Sequence, residues 1–284
     1  MNAIRVAGDI ILDNKSKIVI KINLCDARPF ETGAITHPMF LEALLKYIRT
    51  EKDEDIEILV IEGDSGAVLA DQFIKWFGFT PVLNRWKATW VNITKINSVE
   101  KEINGYFFKK IRIPNIFDDS TYFISLAKLK TNIVTKITCS LKNQFGCLPI
   151  IYKARLHKHV DDVIADINSV IKPNFSIIDG IIGQGGAQGP AFGIPLPAGL
   201  IIAGRDPVAV DATCSKIFGF NPLSIGHIRK SWKRGLGTIY SLNTVLITEE
   251  GNKYRNRIPK VNAHWSRLEE IIMKIGIKMQ ERSS

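Results

Sequence analysis

Four lysines lie close together in the middle of the chain, in a segment that is also rich in hydroxyl and amide side chains. The segment runs from Ala127 to Pro149, and its lysines are Lys128, Lys130, Lys136 and Lys142. The ammonium group of lysine is a compact charge with freely rotating donors, so it suits a phosphate or carboxylate group. A solvated surface loop would show a similar composition. Because apolar and turn residues follow from Phe145 onward, we favour an anion site over a surface loop.

Apolar runs on both sides of this segment predict the strands that must position it. The runs are Ile18–Leu24, Ile56–Ile61, Tyr122–Leu126, Phe175–Asp179, Leu200–Gly204 and Asn243–Thr248. Helical patterns alternate with them, at Phe40–Ile48, Val68–Phe77, Val160–Ile171, Val208–Phe218, Asn221–Arg234 and Ala263–Gln280. This alternation predicts a mostly parallel, doubly wound α/β sheet in a single domain, with 1–120 and 121–284 as candidate lobes.

Three further segments carry weaker structural signals. Asn97–Gly105 has the composition of an exposed connection, within a less regular β region from 84 to 120. Arg155–His159 is expected to be an extended or looped lead-in to the following helix. The glycine-rich stretch from Gly183 to Pro190 is interpreted as a flexible lid or a structural turn.

Polar side chains follow the predicted strands at the edge where open α/β sheets bind ligands. The first strand delivers Lys21, Asn23, Asp26 and Arg28, and the second ends in the turn Glu62–Gly66. A glycine-rich turn between a strand and a helix can direct backbone N–H groups at an anion. The acids of this turn would repel phosphate, so they could instead hold a cation or orient lysines.

Two residues at predicted strand ends leave a choice between chemistry and structure. His37 could act as a general base or ligand, or it could cap the helix that Pro38 begins. Asp179 could be a metal ligand, a general base or a partner for a lysine. Further along, Asp206 and Pro207 predict a capped helix start, and Asp211 could contact the lysines or complement the helix dipole.

These observations predict an enzyme, or an enzyme-like binder, for a small anionic organic molecule with a carboxylate or phosphate group. A desolvated lysine among other cations can have a lowered pKa and act as a base. We expect Lys142, Lys130 and Asp179 to be catalytic. The predicted ligand-binding residues are Lys21, Asn23, Asp26, Arg28, His37, Asp64, Ser65, Gly66, Lys128, Thr131 and Asn143.

Ordered motifs across most of the chain resemble the family called domain of unknown function 362. They are KIN at 21–23, ITHP at 35–38, EGDSG at 62–66, KLKT at 128–131, SLKNQFGCLP at 140–149, IIDG at 177–180 and RDPVAVDA at 205–212. The family commonly has histidine where this chain has Asn132. The run from Asn23 to Pro29 is also distantly similar to nickel-pincer lactate racemases, which implies carboxylate recognition. The resemblance implies a fold and a site region but names no reaction or cofactor.

An iron–sulfur or redox-associated protein is the first alternative, because members of this family carry ferredoxin-like cysteine clusters. The four cysteines of this chain, Cys25, Cys139, Cys147 and Cys214, form no C-x-x-C pair. Iron–sulfur and zinc sites typically use closely spaced cysteines, and this chain lacks that spacing. The sequence therefore favours free and mostly buried thiols. Cys139 and Cys147 are the candidate metal ligands in or beside the segments that match the family.

Composition and charge set the remaining expectations. The chain has 284 residues, of which 45% are hydrophobic and 23% charged, and its net charge of +10 favours acidic partners. No apolar run is long enough to span a bilayer and no signal-peptide pattern opens the chain, so we expect a cytoplasmic protein with no membrane partner.

Nucleic-acid binding is the second alternative. It would use the basic run Arg229–Arg234 together with Lys253, Arg255 and Arg257. We do not favour it, because the sequence contains no recognised nucleic-acid-binding module.

Overall fold

Strands with apolar side chains on both faces form the centre of the molecule. A computed structural model describes residues 2–66, 68–186 and 193–240, together with the backbone of two strands at 245–248 and 253–254. The strands are β1 (Lys17–Lys21), β2 (Glu57–Glu62), β3 (Thr89–Asn92), β4 (Ser98–Glu102), β5 (Lys110–Pro114), β6 (Thr121–Asn132), β7 (Lys136–Thr138), β8 (Phe175–Gly185), β9 (Ile194–Leu196), β10 (Leu200–Gly204), β11 (Val245–Thr248) and β12 (Lys253–Tyr254). The α-helices are α1 (Asn2–Val6), α2 (Pro38–Glu51), α3 (Ala70–Trp76), α4 (Phe79–Arg85), α5 (Ser140–Asn143), α6 (Val160–Val170), α7 (Pro207–Ile217) and α8 (Gly226–Lys233).

The main sheet is mixed, with a parallel centre. Over the described part of the chain its order is β12-β11-β10-β8-β6-β1-β2-β3, with β7 added to β6 and β9 added to β8. The five strands from β8 to β3 run parallel, and β10, β11 and β12 pair antiparallel at one side. This confirms the predicted α/β class with a mostly parallel sheet.

Each face of the sheet is covered by its own hydrophobic core. On β1 the side chains of Ile18 and Ile20 pack with helices α1 to α4, whereas Val19 packs on the opposite face with α5 to α8. Helices on both faces explain why the central strands are apolar without alternation. They also leave the carboxyl edge of the parallel strands as the place where polar side chains gather.

The helix starts follow the capping residues that the sequence provides. Asp206 Oδ1 accepts hydrogen bonds from the backbone N–H groups of Val208 and Ala209, at 2.8 and 3.0 Å, and Pro207 begins α7. His37 Nδ1 accepts a hydrogen bond from Met39 N at 3.1 Å, one position before Pro38 begins α2. Both capping predictions are confirmed, and the His37 imidazole keeps its second ring nitrogen for other contacts.

Several local expectations are wrong. The segment 97–105, expected to be an exposed connection, contains β4, which pairs antiparallel with β5 in a separate two-stranded sheet. Residues Arg155–His159, expected to be extended or looped, belong to a 3₁₀ helix, Lys153–His159, that continues into α6. A short 3₁₀ helix, Pro222–Ser224, precedes α8 and replaces the start of the predicted helix at Asn221.

Other expectations meet the limits of the described residues. The predicted last strand is matched by β11, whereas the predicted helix Ala263–Gln280 and residues 187–190 of the glycine-rich stretch lie outside the described part. Gly183–Gly185 belong to β8. Among the described residues, no helix combines the length and apolar composition that a membrane span requires.

Candidate functional site

The ends of β1 and β2 meet in a buried ion pair. Lys21 Nζ lies 2.7 Å from Glu62 Oε2, and the two side chains are 1% and 5% exposed. Glu62 also accepts hydrogen bonds from Leu24 N and Gly63 N, at 2.9 and 3.0 Å. Glu62 therefore orients a lysine, which is one of the roles that the sequence left open for it. A Cβ at Gly146 would lie 2.9 Å from both charged groups, so a larger residue there would have to displace this pair.

Lys130 is a buried ammonium with neutral neighbours. Its Nζ donates to Asn23 Oδ1 at 2.8 Å and to Ala34 O at 2.7 Å, and it lies 3.4 Å from Cys25 Sγ. The residue is 4% exposed, and no carboxylate of the described residues forms an ion pair with it. A buried cation without a counter-ion is costly, which makes this position attractive to an anion.

Lys142 is held beside Lys130 by helix α5. Its neighbour Asn143 donates to Lys21 O at 3.0 Å and to Ser125 Oγ at 3.1 Å, and accepts from Asn23 Nδ2 at 3.2 Å. The Lys142 ammonium lies 5.9 Å from the centre of the Phe145 ring and forms no hydrogen bond or ion pair with other described residues. Burial lowers the pKa of Lys142 to about 8, and the charge of Lys130 adds to this effect while Cys25 opposes it.

Helix α5 is itself anchored from α7. Asp211, which is fully buried, accepts hydrogen bonds from Ser140 N at 2.7 Å and Leu141 N at 3.0 Å. Burial raises the pKa of Asp211 to about 7, while these two N–H donors oppose the rise. Asp211 thus holds the backbone of α5, the helix that carries Lys142. The sequence had predicted either a contact with the lysines or a complement to the helix dipole, and neither describes this role.

A second buried ion pair joins β6 to β8. Lys128 Nζ lies 2.7 Å from Asp179 Oδ2, and both side chains are at most 2% exposed. Burial lowers the pKa of Lys128, Asp179 opposes this effect, and Lys130 adds to it. The register of β6 against β8 shifts between Lys128 and Lys130. Lys128 therefore points to Asp179, while Lys130 reaches the end of β1.

A cavity of about 570 Å³ borders the pair of Lys128 and Asp179. His37 also lines this cavity, where its ring packs against Phe30 with the ring centres 4.1 Å apart. Burial lowers the pKa of His37, and the nearby Lys128 charge adds to this while Asp179 opposes it. The imidazole is therefore neutral at pH 7. The remaining lining residues are mostly apolar.

The other predicted ligand-binding residues are engaged within the fold. The Asp26 carboxylate pairs with Arg28, whose Nη2 lies 2.7 Å away, and Arg28 Nη1 donates to Gly193 O at 2.8 Å. Asp64 Oδ1 accepts from Ala70 N at 2.8 Å and from Asn92 Nδ2 at 2.9 Å, which stabilises the turn that contains Ser65 and Gly66. Thr131 Oγ1 donates to Gly186 O at 2.7 Å and links the ends of β6 and β8.

Two residues beside the lysines were missed as site residues. Cys25 is exposed and follows Asn23 by two positions, a spacing that places both on one side of an extended chain. His157 stacks against Phe145 with the ring centres 6.0 Å apart. Burial lowers its pKa to about 4, and the Lys142 charge contributes. The period-two spacing was a usable signal for Cys25, whereas only the folded structure brings His157 close.

The remaining cysteines are buried, and burial dominates their chemistry. It raises the pKa of Cys147 to about 12 and that of Cys139 well above its usual value. Over the described ranges, no group of three or more histidine, cysteine, aspartate or glutamate side chains is arranged to hold a metal ion. Metal or iron–sulfur association therefore stays a prediction from the family resemblance.

The basic run on α8 is largely used inside the fold. Lys230 forms an ion pair with Asp162, and Arg234 Nη1 lies 2.6 Å from Asp166 Oδ1. Arg229 Nη1 donates to Leu223 O at 2.8 Å. Cations that are paired internally contribute less to a nucleic-acid surface, since each phosphate contact would have to displace a partner.

Comparisons with known proteins identify the family. The chain is 28% identical over 228 residues to a thylakoid-associated protein from Synechocystis sp., an alignment that covers 78% of this chain and 68% of that relative. No solved structure matches the chain significantly. The family model described as domain of unknown function (DUF362) matches residues 18–216, which include β6, α5, β8 and most of β1 and α7. The chain therefore belongs to the DUF362 family.

Proposed function

We propose that this protein binds a small anionic organic molecule, with a carboxylate or phosphate group, between Lys130 and Lys142. The supporting observation is a local excess of positive charge. Lys21 with Glu62 and Lys128 with Asp179 form neutral pairs, while Lys130 and Lys142 form no ion pair with any described residue. An anion about 4 Å from one ammonium gains about 4 kcal/mol at an effective dielectric constant of about 20, before desolvation is subtracted.

The same arrangement supports an enzymatic role, with Lys142 as the residue that transfers protons. Its pKa of about 8 leaves both protonation states accessible near neutral pH, which is what general acid–base catalysis requires. Lys130 would hold the anionic group. Asp179 remains the proposed second acid–base group, acting from its pair with Lys128.

The experiment compares anion binding by the wild-type protein and by Lys142→Ala, with inorganic phosphate and lactate as the two probes. We expect at least one probe to raise the melting temperature of the wild type, and about tenfold weaker binding to Lys142→Ala. Because the Lys142 ammonium makes no hydrogen bond in the described structure, the variant should fold normally. Lys46→Ala, at an exposed position of α2, is the control and should bind like the wild type.

The pH dependence of binding provides an independent check. Lys142 loses its charge as pH rises through about 8, so the affinity of the wild type for lactate, whose own charge is constant over this range, should fall between pH 7 and pH 9. Lys142→Ala should lack this dependence. Equal affinities of the wild type and Lys142→Ala at pH 7, or no binding of either probe up to about 10 mM, would contradict the proposal.

We also propose a cytoplasmic location, a reducing compartment in which the free thiols of Cys25, Cys139, Cys147 and Cys214 would persist. The relative from Synechocystis sp. is described as thylakoid-associated, and that description applies to that protein. Fractionation of cells that express the full chain tests the proposal. Recovery in the membrane pellet after a high-salt wash would contradict it.

A further inference from the structure

The cavity beside Lys128 is large enough for a second ligand and is separate from the proposed anion site. It lies between α1, α2 and the strands β6, β8 and β10, and its volume is about 570 Å³. Binding sites for small organic molecules commonly occupy about 300–1,000 Å³. Neither Lys130, Lys142, Asn23 nor Cys25 lines it. A molecule in this cavity would therefore not occupy the place between Lys130 and Lys142.

The wall of the cavity is mostly apolar. Ile4 comes from α1, Phe40 and Leu44 from α2, Leu126 from β6, and Ile177 and Ile182 from the β8 strand. Side chains of this kind favour an apolar molecule, because burying its surface removes it from water. The body of the ligand should thus be an alkyl chain or an aromatic ring.

The polar end of the cavity offers hydrogen-bond donors. Lys128 Nζ has three N–H groups, and one described acceptor, Asp179 Oδ2, takes one of them. His37 Nδ1 accepts from Met39 N, so the neutral ring carries its proton on Nε2. Asp179 Oδ1 already accepts a hydrogen bond from Ile181 N at 3.2 Å. The available groups are therefore mainly donors, which require an acceptor on the ligand.

Charge balance decides which acceptor fits. The pair of Lys128 and Asp179 is neutral as a whole and almost fully buried. A carboxylate ligand would leave one negative charge uncompensated in this apolar region, which is costly. A pure hydrocarbon would leave the donors without a partner. A neutral carbonyl oxygen satisfies donors without adding charge.

From this combination we propose that the cavity between α1, α2 and the sheet is a second binding site, which takes an apolar molecule with a neutral carbonyl group, such as an alkyl or aryl ketone. The carbonyl oxygen accepts from Lys128 Nζ and His37 Nε2. The apolar body lies among the side chains of α1, α2 and β8. No covalent step is involved.

Three probes with eleven carbons each separate the contributions to binding. They are valerophenone, a ketone; pentylbenzene, which lacks the oxygen; and 5-phenylpentanoate, which carries a charge. Calorimetric titration of the full chain should give the tightest binding for valerophenone, about tenfold above each of the other two. Tighter binding of the carboxylate, equal binding of all three, or no binding of valerophenone up to about 1 mM would overturn the proposal.

Two variants locate the binding site. Ala43 lines the cavity from an exposed position of α2, so Ala43→Trp should block the entrance and weaken valerophenone binding at least tenfold without disturbing the core. Lys46→Trp, also exposed on α2 but outside the cavity, is the matched control and should bind normally. Unchanged binding to Ala43→Trp would overturn the proposal.

A third variant tests the polar end and distinguishes this site from the anion site. The double variant Lys128→Met with Asp179→Leu replaces the ion pair with apolar groups, a change that buried pairs often tolerate. Its preference for valerophenone over pentylbenzene should be clearly smaller than that of the wild type, because only His37 Nε2 then remains to donate to the carbonyl oxygen. Lys142→Ala should keep wild-type affinity for valerophenone. A preserved preference for the ketone in the double variant would contradict the role of Lys128.

Discussion

The buried lysines of this sheet edge differ in what surrounds their ammonium groups. Lys21 and Lys128 each lie 2.7 Å from a carboxylate, whereas Lys130 contacts an amide oxygen, a backbone carbonyl and a thiol. A paired lysine has most of its desolvation cost offset inside the protein, and an unpaired one relies on an external anion. This difference separates the lysines that are paired within the fold from the lysines that we propose to bind a ligand.

His157 should make stability depend on pH in the acid range. Its pKa of about 4 in the folded protein is below the ordinary value of about 6.5, because the ring is buried and Lys142 lies nearby. The unfolded chain therefore binds the proton first, and stability falls as pH drops from about 6.5 toward 4. The wild type should therefore lose free energy of unfolding between pH 7.5 and pH 5. In His157→Phe, which keeps the stacking on Phe145, we expect this loss to be smaller by on the order of 1–2 kcal/mol.

Urea unfolding at the two pH values measures this effect. His159→Phe, at an exposed position of the same 3₁₀ helix, is the control and should keep the pH dependence of the wild type. If His157→Phe and the wild type lost the same stability on acidification, the assignment of the acid effect to His157 would be wrong.

At the level of elements, the β4–β5 hairpin is attached to the rest of the protein by the packing of Ile111 and Ile113 into the core and by one carboxylate on α6. Asp166, which is fully buried, accepts backbone hydrogen bonds from Tyr106, Phe107 and Phe108 at 2.7, 2.8 and 2.9 Å. Arg234 adds an ion pair at 2.6 Å. The position of the β4–β5 hairpin therefore depends on polar contacts as well as on apolar packing.

Replacing Asp166 should loosen this attachment. Asp166→Ala leaves three backbone N–H groups and one guanidinium without their acceptor, and we expect a loss of about 3–5 kcal/mol in the free energy of unfolding. Asp162→Ala, which breaks the more exposed ion pair with Lys230 on the same helix, should cost about 1 kcal/mol or less. Chemical denaturation compares the two variants, and similar losses would contradict the role assigned to Asp166.

Elements with strong local signals were predictable, and elements defined by distant partners were not. Strand β2 follows from its continuous apolar run, and α7 follows from Asp206 and Pro207. Strand β4 has the sequence SVEKE and a mostly exposed surface, so neither apolar alternation nor a turn signal announces it. Its pairing with β5 and the attachment of the intervening loop to Asp166 decide its conformation, and Asp166 lies 60 residues after Tyr106 in the sequence.

The candidate site was predictable in composition but not in arrangement. The strand-edge rule correctly indicated where Lys21, Asn23 and Lys130 would meet, since β1 and β6 are parallel neighbours. It could not reveal that Lys128 and Lys130, two positions apart, have different partners. That difference depends on the register shift against β8 and on the reach of each side chain, which no sequence pattern encodes.

At the scale of the whole molecule, the site depends on a close contact between the connection after β1 and the strand β8. Gly33 ends the 3₁₀ helix Phe30–Thr32 with a φ of 73°, and a Cβ there would lie 1.9 Å from Gly183 O. The next residue, Ala34, supplies the carbonyl that accepts from Lys130 Nζ at 2.7 Å. Packing between these two distant parts of the chain therefore sets the position of a contact within the proposed anion site.

Substitutions at two glycines with similar φ angles distinguish the energetic cost of backbone strain from the cost of disturbing this packing. Gly78 has a φ of 76°, and no described atom lies within 4 Å of the position that a Cβ would take, so Gly78→Ala should cost only the left-handed strain of about 1–2 kcal/mol. Gly33→Ala adds a collision with the backbone of β8, so it should cost at least about 3 kcal/mol and should also weaken anion binding by displacing Ala34. Urea unfolding and phosphate titration of both variants test this. Equal stability losses would show that the contact with Gly183 can relax, and the Lys130 site would then not depend on the close approach of these two segments.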